Sequence, residues 1–477
     1  MHLKLILVLF YVLVVLSAAN GILGYGEDQQ LFSFRKHSLF PYNNGSSSCS
    51  FQRSRKQNGA TILEMKHKDQ CSGQVKDWNK RHKEQLIADE VRIRSIQARI
   101  KNMISGQSEI ISQARIPIVS GVRMQTLNYI VTVTLGGKNM TVIVDTGSDL
   151  TWVQCQPCRL CYNQPEPIYD PSYSSSYQNV TCDSDSCKSL QSTTGFKGVC
   201  TKEKPSPCYY TVSYGDGSYT RGDLGREQMI LGDTNVSDFV FGCGRNNKGL
   251  FGAASGLMGL GRSGLSLISQ TTDIFGGVFS YCLPPTQGDS SGSLILGGDF
   301  SAYKNTTPIS YTKLLSSPQL STFYILNNTG ASIGGVPIQS PSFGIGGILI
   351  DSGTVISRLP PSLYKAVKTE FLKQFTGYPP APSFSILDTC FNLSAYDEVN
   401  IPTIKMQFED DVELTVDVTG VFYFVKSDAS QVCLALASLT YENEIGILGN
   451  YQQRNTRVIY DTVQSKLGLA KESCNFM

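Results

Sequence analysis

The sequence predicts a β-rich fold built by internal duplication, and three observations carry that reading. Val142, Ile143 and Val144 lead a strand into a turn at Asp145, Thr146, Gly147 and Ser148. Ile348, Leu349 and Ile350 do the same at Asp351, Ser352, Gly353 and Thr354, 206 residues later. An apolar pair bounded by glycines follows each loop, Gly256 to Gly261 after the first and Gly446 to Gly449 after the second. There only glycine would let another backbone come close. The order of Asp loop, apolar pair, Asp loop, apolar pair is that of a repeat. Composition agrees: Gly 44, Tyr 23 and Phe 22, with only 17% charged residues, suit strands and turns better than long helices.

The chain opens with Lys4, an almost wholly apolar run from Leu5 to Leu16, and the small residues Ser17, Ala18 and Ala19. This predicts a secretory signal over residues 1–19; the run is too short for a membrane anchor. An oxidising route makes disulfides of the 14 Cys, and Asn44, Asn139, Asn179, Asn235, Asn305, Asn327 and Asn392 become candidate glycosylation sites.

Residues 20–60 are polar and without a clear period, and are expected to be a flexible lead-in. From Trp78 to Ile104 the period becomes helical, with Ile93, Ile96, Ile100 and Met103 on one stripe among Lys and Arg. Residues 20–115 hold 16 Lys and Arg against 9 Asp and Glu, a net of +7. Residues 116–477 hold 24 against 30, a net of −6. Alone, a basic amphipathic helix suits a membrane surface or a nucleic acid. Joined to an acidic body, it is expected to bind that body, so neither a nucleic acid nor a membrane is an expected partner. Ile116 and Pro117 mark the boundary, with processing expected near Ala114 to Ile116.

Beyond Trp152 come Cys155, Cys158, Cys161, Cys182, Cys187, Cys200, Cys208 and Cys243. The first three have spacing that could suit a metal, yet the four His all lie at or before residue 82, which favours disulfides. Spacing leaves their pairing open. Tyr209 to Thr220 reads as a hairpin about Gly215, Asp216 and Gly217, either a plain surface hairpin or a mobile flap that shuts water out of a site. Pro360 to Phe375 reads as a helix, and short strands are expected at 412–418 and 421–425.

Two strands that deliver two carboxyls on Gly-supported loops suit a pair sharing one proton, because like charges a few ångströms apart cannot both ionise freely. One carboxyl takes a proton from water while the other hydrogen-bonds a substrate carbonyl.

With these motifs in order, residues 116–477 resemble the pepsin-like aspartic endopeptidases, most nearly the plant nepenthesin-like branch. The resemblance implies an all-β, bilobal fold with a cleft between lobes 116–305 and 306–477, preceded by a partly helical propeptide at 20–115. It implies a secreted zymogen acting on polypeptides as a monomer without cofactor or metal, destined for the apoplast or a vacuole. Asp145 and Asp351 would be catalytic, Thr146 and Ser352 would cross-link the loops, and Ser148 and Thr354 would bond the outer carboxylate oxygens. Tyr214 would be the flap tyrosine, flanked by Gly215 and Asp216, with the Trp152 indole against its hydroxyl. The implied disulfides are Cys155–Cys158, Cys161–Cys243, Cys182–Cys208, Cys187–Cys200, Cys282–Cys474 and Cys390–Cys433; Cys49 and Cys71 pair together or stay free. The competing reading is a binding protein of the xylanase-inhibitor-like type, against which both Asp loops and Tyr214 are intact. A Lys or Arg from the basic segment (Lys80, Arg81, Lys83, Arg92, Arg94 or Arg99) is expected to clamp the two aspartates, lowering their pKa values, through contacts that salt would loosen.

Overall fold

The computed structural model describes residues 31–35, 53–68, 78–105 and 129–476, apart from 203–204, 215–217, 250, 252–253, 286–290, 299, 304–305, 317–319 and 475. It is mostly β, with two lobes and a partly helical N-terminal region.

The two lobes repeat one local design. In the first, Lys138–Asp145 runs parallel to Gly256–Gly259, with Gly259 opposite Asp145. Gly256–Gly259 also pairs antiparallel with Trp152–Gln154, Leu257 facing Trp152. In the second lobe, Ile348–Ile350 runs parallel to Gly446–Leu448, and Arg358 on the strand Ser357–Leu359 faces Ile447. Each strand after an Asp loop therefore folds back over the strand that carries the apolar pair. Close approach explains the glycines. A Cβ at Gly259 would lie 2.2 Å from the carbonyl oxygen of Asp149, and one at Gly449 would lie 2.8 Å from that of Val355.

A larger sheet joins the lobes. Val278–Cys282 pairs with Gly292–Leu296 on one side and with Thr456–Asp461 on the other. Gly292–Leu296 pairs in turn with Ala60–His67, and Lys66 and His67 reach Ile130 and Tyr129 of the strand Tyr129–Leu135.

The lead-in is thus more ordered than its composition suggested. Ser54–Gln57 and Ala60–His67 form a hairpin about Asn58 and Gly59, both at positive φ. That Asn-Gly pair between alternating strand residues is a hairpin signal that overall polarity masks. Leu31–Arg35 adds a strand beside Glu398–Pro402.

The helix expected from Trp78 runs to Ser105. Its buried Leu86, Ile93, Ile96 and Ile100 pack against residues around the second Asp loop, among them Val355, Ile356, Leu349 and Ile447. The helix expected near 360–375 spans Pro361–Gln374.

Four disulfides differ from the expected pairs. Cys155 bonds Cys243, and Cys158 bonds Cys161. The parallel ladder between Trp152–Gln154 and Gly242–Gly244 sets buried Cys155 beside buried Cys243, Cα to Cα 5.3 Å, and leaves the two half-buried cysteines at the turn to each other. Cys187 bonds Cys208, and Cys182 bonds Cys200. Cys187 and Cys208 are both core residues, whereas Cys182 and Cys200 lie toward the surface, so burial sorts the partners. Cys282 bonds Cys474 and Cys390 bonds Cys433. Cys49, Cys71, Asn44 and Asn305 lie outside the described residues. Of the other glycosylation candidates, Asn139, Asn179 and Asn235 are exposed, while Asn327 and Asn392 are partly covered.

Candidate active site

The two Asp loops meet back to back. Thr146 donates its backbone N–H to Ser352 Oγ at 3.1 Å, and Ser352 returns one to Thr146 Oγ1 at 3.0 Å. This reciprocal pair ties the lobes directly beneath the carboxyls. Each loop then fixes its own Asp. Gly147 N–H donates to Asp145 Oδ1 at 3.1 Å and Ser148 Oγ donates to Asp145 Oδ2 at 2.5 Å. Gly353 N–H and Thr354 Oγ1 do the same for Asp351 at 3.0 and 2.6 Å. Both carboxyls are fully buried. Between the two carboxyls the lobes face one another, and there Asp145 Oδ1 and Asp351 Oδ1, each already holding a glycine N–H, accept a further donor.

That inner space holds Arg92 from the 78–105 helix. Its Nη2 donates to Asp145 Oδ1 at 2.7 Å and to Asp351 Oδ1 and Oδ2 at 3.0 and 2.9 Å, while Nε reaches Asp351 Oδ2 at 3.0 Å. A single nitrogen thus touches both aspartates. Gly147 makes room for it, since a Cβ there would lie 2.6 Å from Arg92 Nη2.

Burial opposes the charge on Arg92, but the two carboxylates outweigh it and hold the guanidinium above its ordinary pKa. Burial pushes the Asp351 carboxyl above the usual aspartate range; Arg92 pulls it back and neighbouring Asp145 adds to the push. The expected lowering of clamped carboxyls is therefore corrected for Asp351, because desolvation exceeds the attraction of the guanidinium.

The same helix makes further polar contacts. Asp89, fully buried, accepts from Val355 N–H at 2.6 Å, Ile356 N–H at 3.2 Å and Arg358 Nη2 at 3.0 Å. Gln97 pairs with both backbone groups of Ile445, at 2.6 and 3.2 Å. Arg99 lies over the Phe323 ring and beside Gly147 O. By contrast Arg94 is exposed and pairs with Glu90 of its own helix. Asp89, Gln97 and Arg358 carried no weight in the sequence reading. The signal was available, since Asp89 and Gln97 fall on the stripe of Ile93, Ile96 and Ile100, where polar residues need a partner.

On the far side of the cleft, Tyr209–Ser213 pairs with Tyr219–Leu231, Ser213 facing Tyr219. Trp152 Nε1 donates to Tyr214 Oη at 2.8 Å, and both rings meet Phe251 edge to face. Gly215 and Asp216 lie outside the described residues. A cavity of about 60 Å³ remains between helix and hairpin, lined in part by Arg92, Arg99, Asp145, Asp149 and Tyr214. Burial pushes Asp149 up to about 6 there. Tyr214→Ala should lower peptide kcat/KM by about 10-fold or more while leaving the chain folded with a lower Tm, since the partly buried ring gives up its bond to Trp152 and its contact with Phe251. Steady-state kinetics beside thermal unfolding checks this, and unchanged turnover would return Tyr214 to an ordinary surface role.

Two β lobes, each offering an Asp-Thr/Ser-Gly loop to a shared cleft, define the pepsin-like class of aspartic protease. Comparison with known proteins agrees. The family model described as xylanase inhibitor N-terminal matches residues 129–298, and its C-terminal companion matches residues 323–471. An aspartyl protease family protein of Arabidopsis thaliana is 41% identical, covering 83% of this chain and 82% of its own length. Aspartic proteinase nepenthesin-1 of Nepenthes gracilis is 37% identical, over 72% of this chain and 78% of its own. Among solved structures, basic 7S globulin from soybean shares the fold at a TM-score of 0.58 and 20% identity, over 72% of this chain and 91% of that one. The chain belongs to the pepsin-like aspartyl proteases, in their plant nepenthesin-like branch.

Proposed function

We propose that this chain is a secreted aspartic endopeptidase, made as a zymogen, in which a water held between Asp145 and Asp351 attacks the peptide carbonyl. The observation that carries the reading is the place of Arg92 Nη2, 2.7 Å from Asp145 and 2.9 Å from Asp351. A water is of similar size and could donate to the same carboxylate oxygens once the helix leaves. One carboxyl then takes its proton while the other, protonated, hydrogen-bonds the carbonyl oxygen. Asp351, which burial holds above the usual aspartate range, suits the proton-bearing state.

The helix supports the zymogen reading for a geometric reason. It occupies the space a substrate would need, and its guanidinium neutralises the groups that would do the chemistry. The apolar leader supports a secretory route. Among the described residues no helix is long and apolar enough to cross a membrane.

The alternative, a binding protein without catalysis, draws on the names of the matching family models. The intact second aspartate and its Thr354 support favour the enzyme. The test is to acidify the purified full-length chain, follow its mass, and add a denatured protein substrate. New peptides together with loss of the basic segment are expected; a chain that cuts nothing at any pH would overturn the enzyme reading.

A further inference from the structure

Arg358 is almost fully buried, 1% exposed at its side chain, and its guanidinium faces the space filled by the 78–105 helix. Nη2 meets Asp89 Oδ2 at 3.0 Å and Glu90 Oε2 at 3.6 Å, and Nη1 donates to Ile356 O at 3.0 Å. Its Nε, also buried, has no hydrogen-bond partner among the described residues. Both carboxylates beside this guanidinium belong to the helix. Beside it the backbone N–H groups of Val355 and Ile356 point at the same Asp89 carboxylate. Three donors thus converge on one acid.

The duplication gives this place a meaning. Arg358 follows Asp351 by seven residues, as Trp152 follows Asp145, and each side chain's residue faces the apolar pair of its own lobe. Trp152 serves the cleft by holding the flap tyrosine. Its counterpart in the second lobe is a cation.

We propose that Arg358, with the N–H groups of Val355 and Ile356, forms an acidic-residue subsite that Asp89 fills in the zymogen and a substrate carboxylate fills in the active enzyme. The inference rests on the endopeptidase reading above. When the helix leaves, the guanidinium loses both carboxylates and faces the open cleft, where a substrate carboxylate restores a charge-assisted pair. The helix also sets the distance. Asp89 lies one turn before Arg92, and residues three apart on a helix have Cβ atoms about 5–6 Å apart. An extended peptide returns a side chain to the same face every two residues, about 6.6 Å. The acidic side chain should therefore stand two residues from the scissile bond.

The experiment uses the full chain brought to activity by acidification, assayed at about pH 5.5, above the ordinary glutamate pKa of about 4.3. Matched peptides carry Glu or Gln at each position in turn on both sides of one cleavage site. Glu two residues from the scissile bond should raise kcat/KM about tenfold over Gln, as a charge-assisted hydrogen bond allows. Arg358→Gln should bring that ratio to about one, and Arg358→Lys should keep part of it. A ratio near one at every position in the wild type, or one that survives Arg358→Gln, overturns the subsite. If Arg358→Gln does not fold, the wild-type scan decides alone, by whether the preference is confined to the predicted position. If no peptide is cut, the endopeptidase reading fails instead. Fluorescence anisotropy with labelled Glu and Gln peptides then reads the subsite on the same preparation, and equal affinities would overturn it.

Discussion

Asp145→Asn and Asp351→Asn should each give a folded chain that no longer hydrolyses peptides, with kcat lower by about 10³-fold or more. Asn keeps the shape of the carboxyl and can still accept from Gly147 or Gly353. It cannot take a proton from water, nor share one across the pair. The interlobe bonds run through Thr146 and Ser352 rather than through the carboxyls, so the loops retain their crosspiece. Peptide hydrolysis after acid treatment, with circular dichroism and Tm beside it, checks the prediction. Near-full activity in either variant would remove the pair from the chemistry. The full-length Asp351→Asn chain carries a second readout: with one counter-charge gone its helix should be held less firmly, yet no activity should appear.

Arg92→Met should give a full-length chain that cleaves peptide at once, without the acid step expected for the wild type. Methionine fills part of the volume and leaves two buried carboxyls facing an apolar group. Breaking a buried ion pair by removing one partner costs about 3–5 kcal/mol, or roughly 10²–10⁴-fold in helix docking. Activity measured immediately on dilution into mildly acidic buffer should show a lag in the wild type and none in the variant. A lag of equal length in both would remove Arg92 from inhibition.

The pH dependence follows from the same contacts. Arg92, held above its ordinary pKa, stays charged throughout, so the titrating partner is a carboxyl. In the docked state the Asp351 carboxyl already lies above the usual aspartate range, with Arg92 the main influence pulling it down. Burial exceeds that pull, so the docked carboxyl is harder to ionise than an ordinary aspartate. Salt should matter less than the basic composition suggested. The Arg92 side chain is 10% exposed and both aspartates 0%, and a pair so placed is poorly screened.

Much of the site was legible because its residues must stand in the sequence in fixed local order. An Asp, a small hydroxyl and a Gly make the loop by themselves, and the repeat supplies the second copy. Trp152 and Tyr214 were legible through their spacing from those loops. The disulfides of the first lobe were not, because their partners are chosen by a parallel ladder and by depth in the core, neither of which spacing encodes. Arg92 was one of six basic residues suggested for the cleft; only three-dimensional packing of Ile93, Ile96 and Ile100 selects it for the aspartates and sets Arg99 beside it in the cavity. The hairpin at Asn58 was missed through attention to polarity over turn chemistry.

The strand Ala60–His67 has a consequence of its own. It lies between Gly292–Leu296 and Tyr129–Leu135, with five residues in register on the first side. A cut between residues 106 and 128 would therefore sever the connection to the basic segment without dislodging it. Before the cut, helix and cleft are tethered and meet at a fixed effective concentration; after it, they are two molecules. Inhibition by the severed piece becomes an ordinary bimolecular equilibrium, and the active fraction depends on dilution. On the zymogen reading, the chain would stay largely silent where it is crowded with its own cleaved segments and would wake where it spreads into a larger volume.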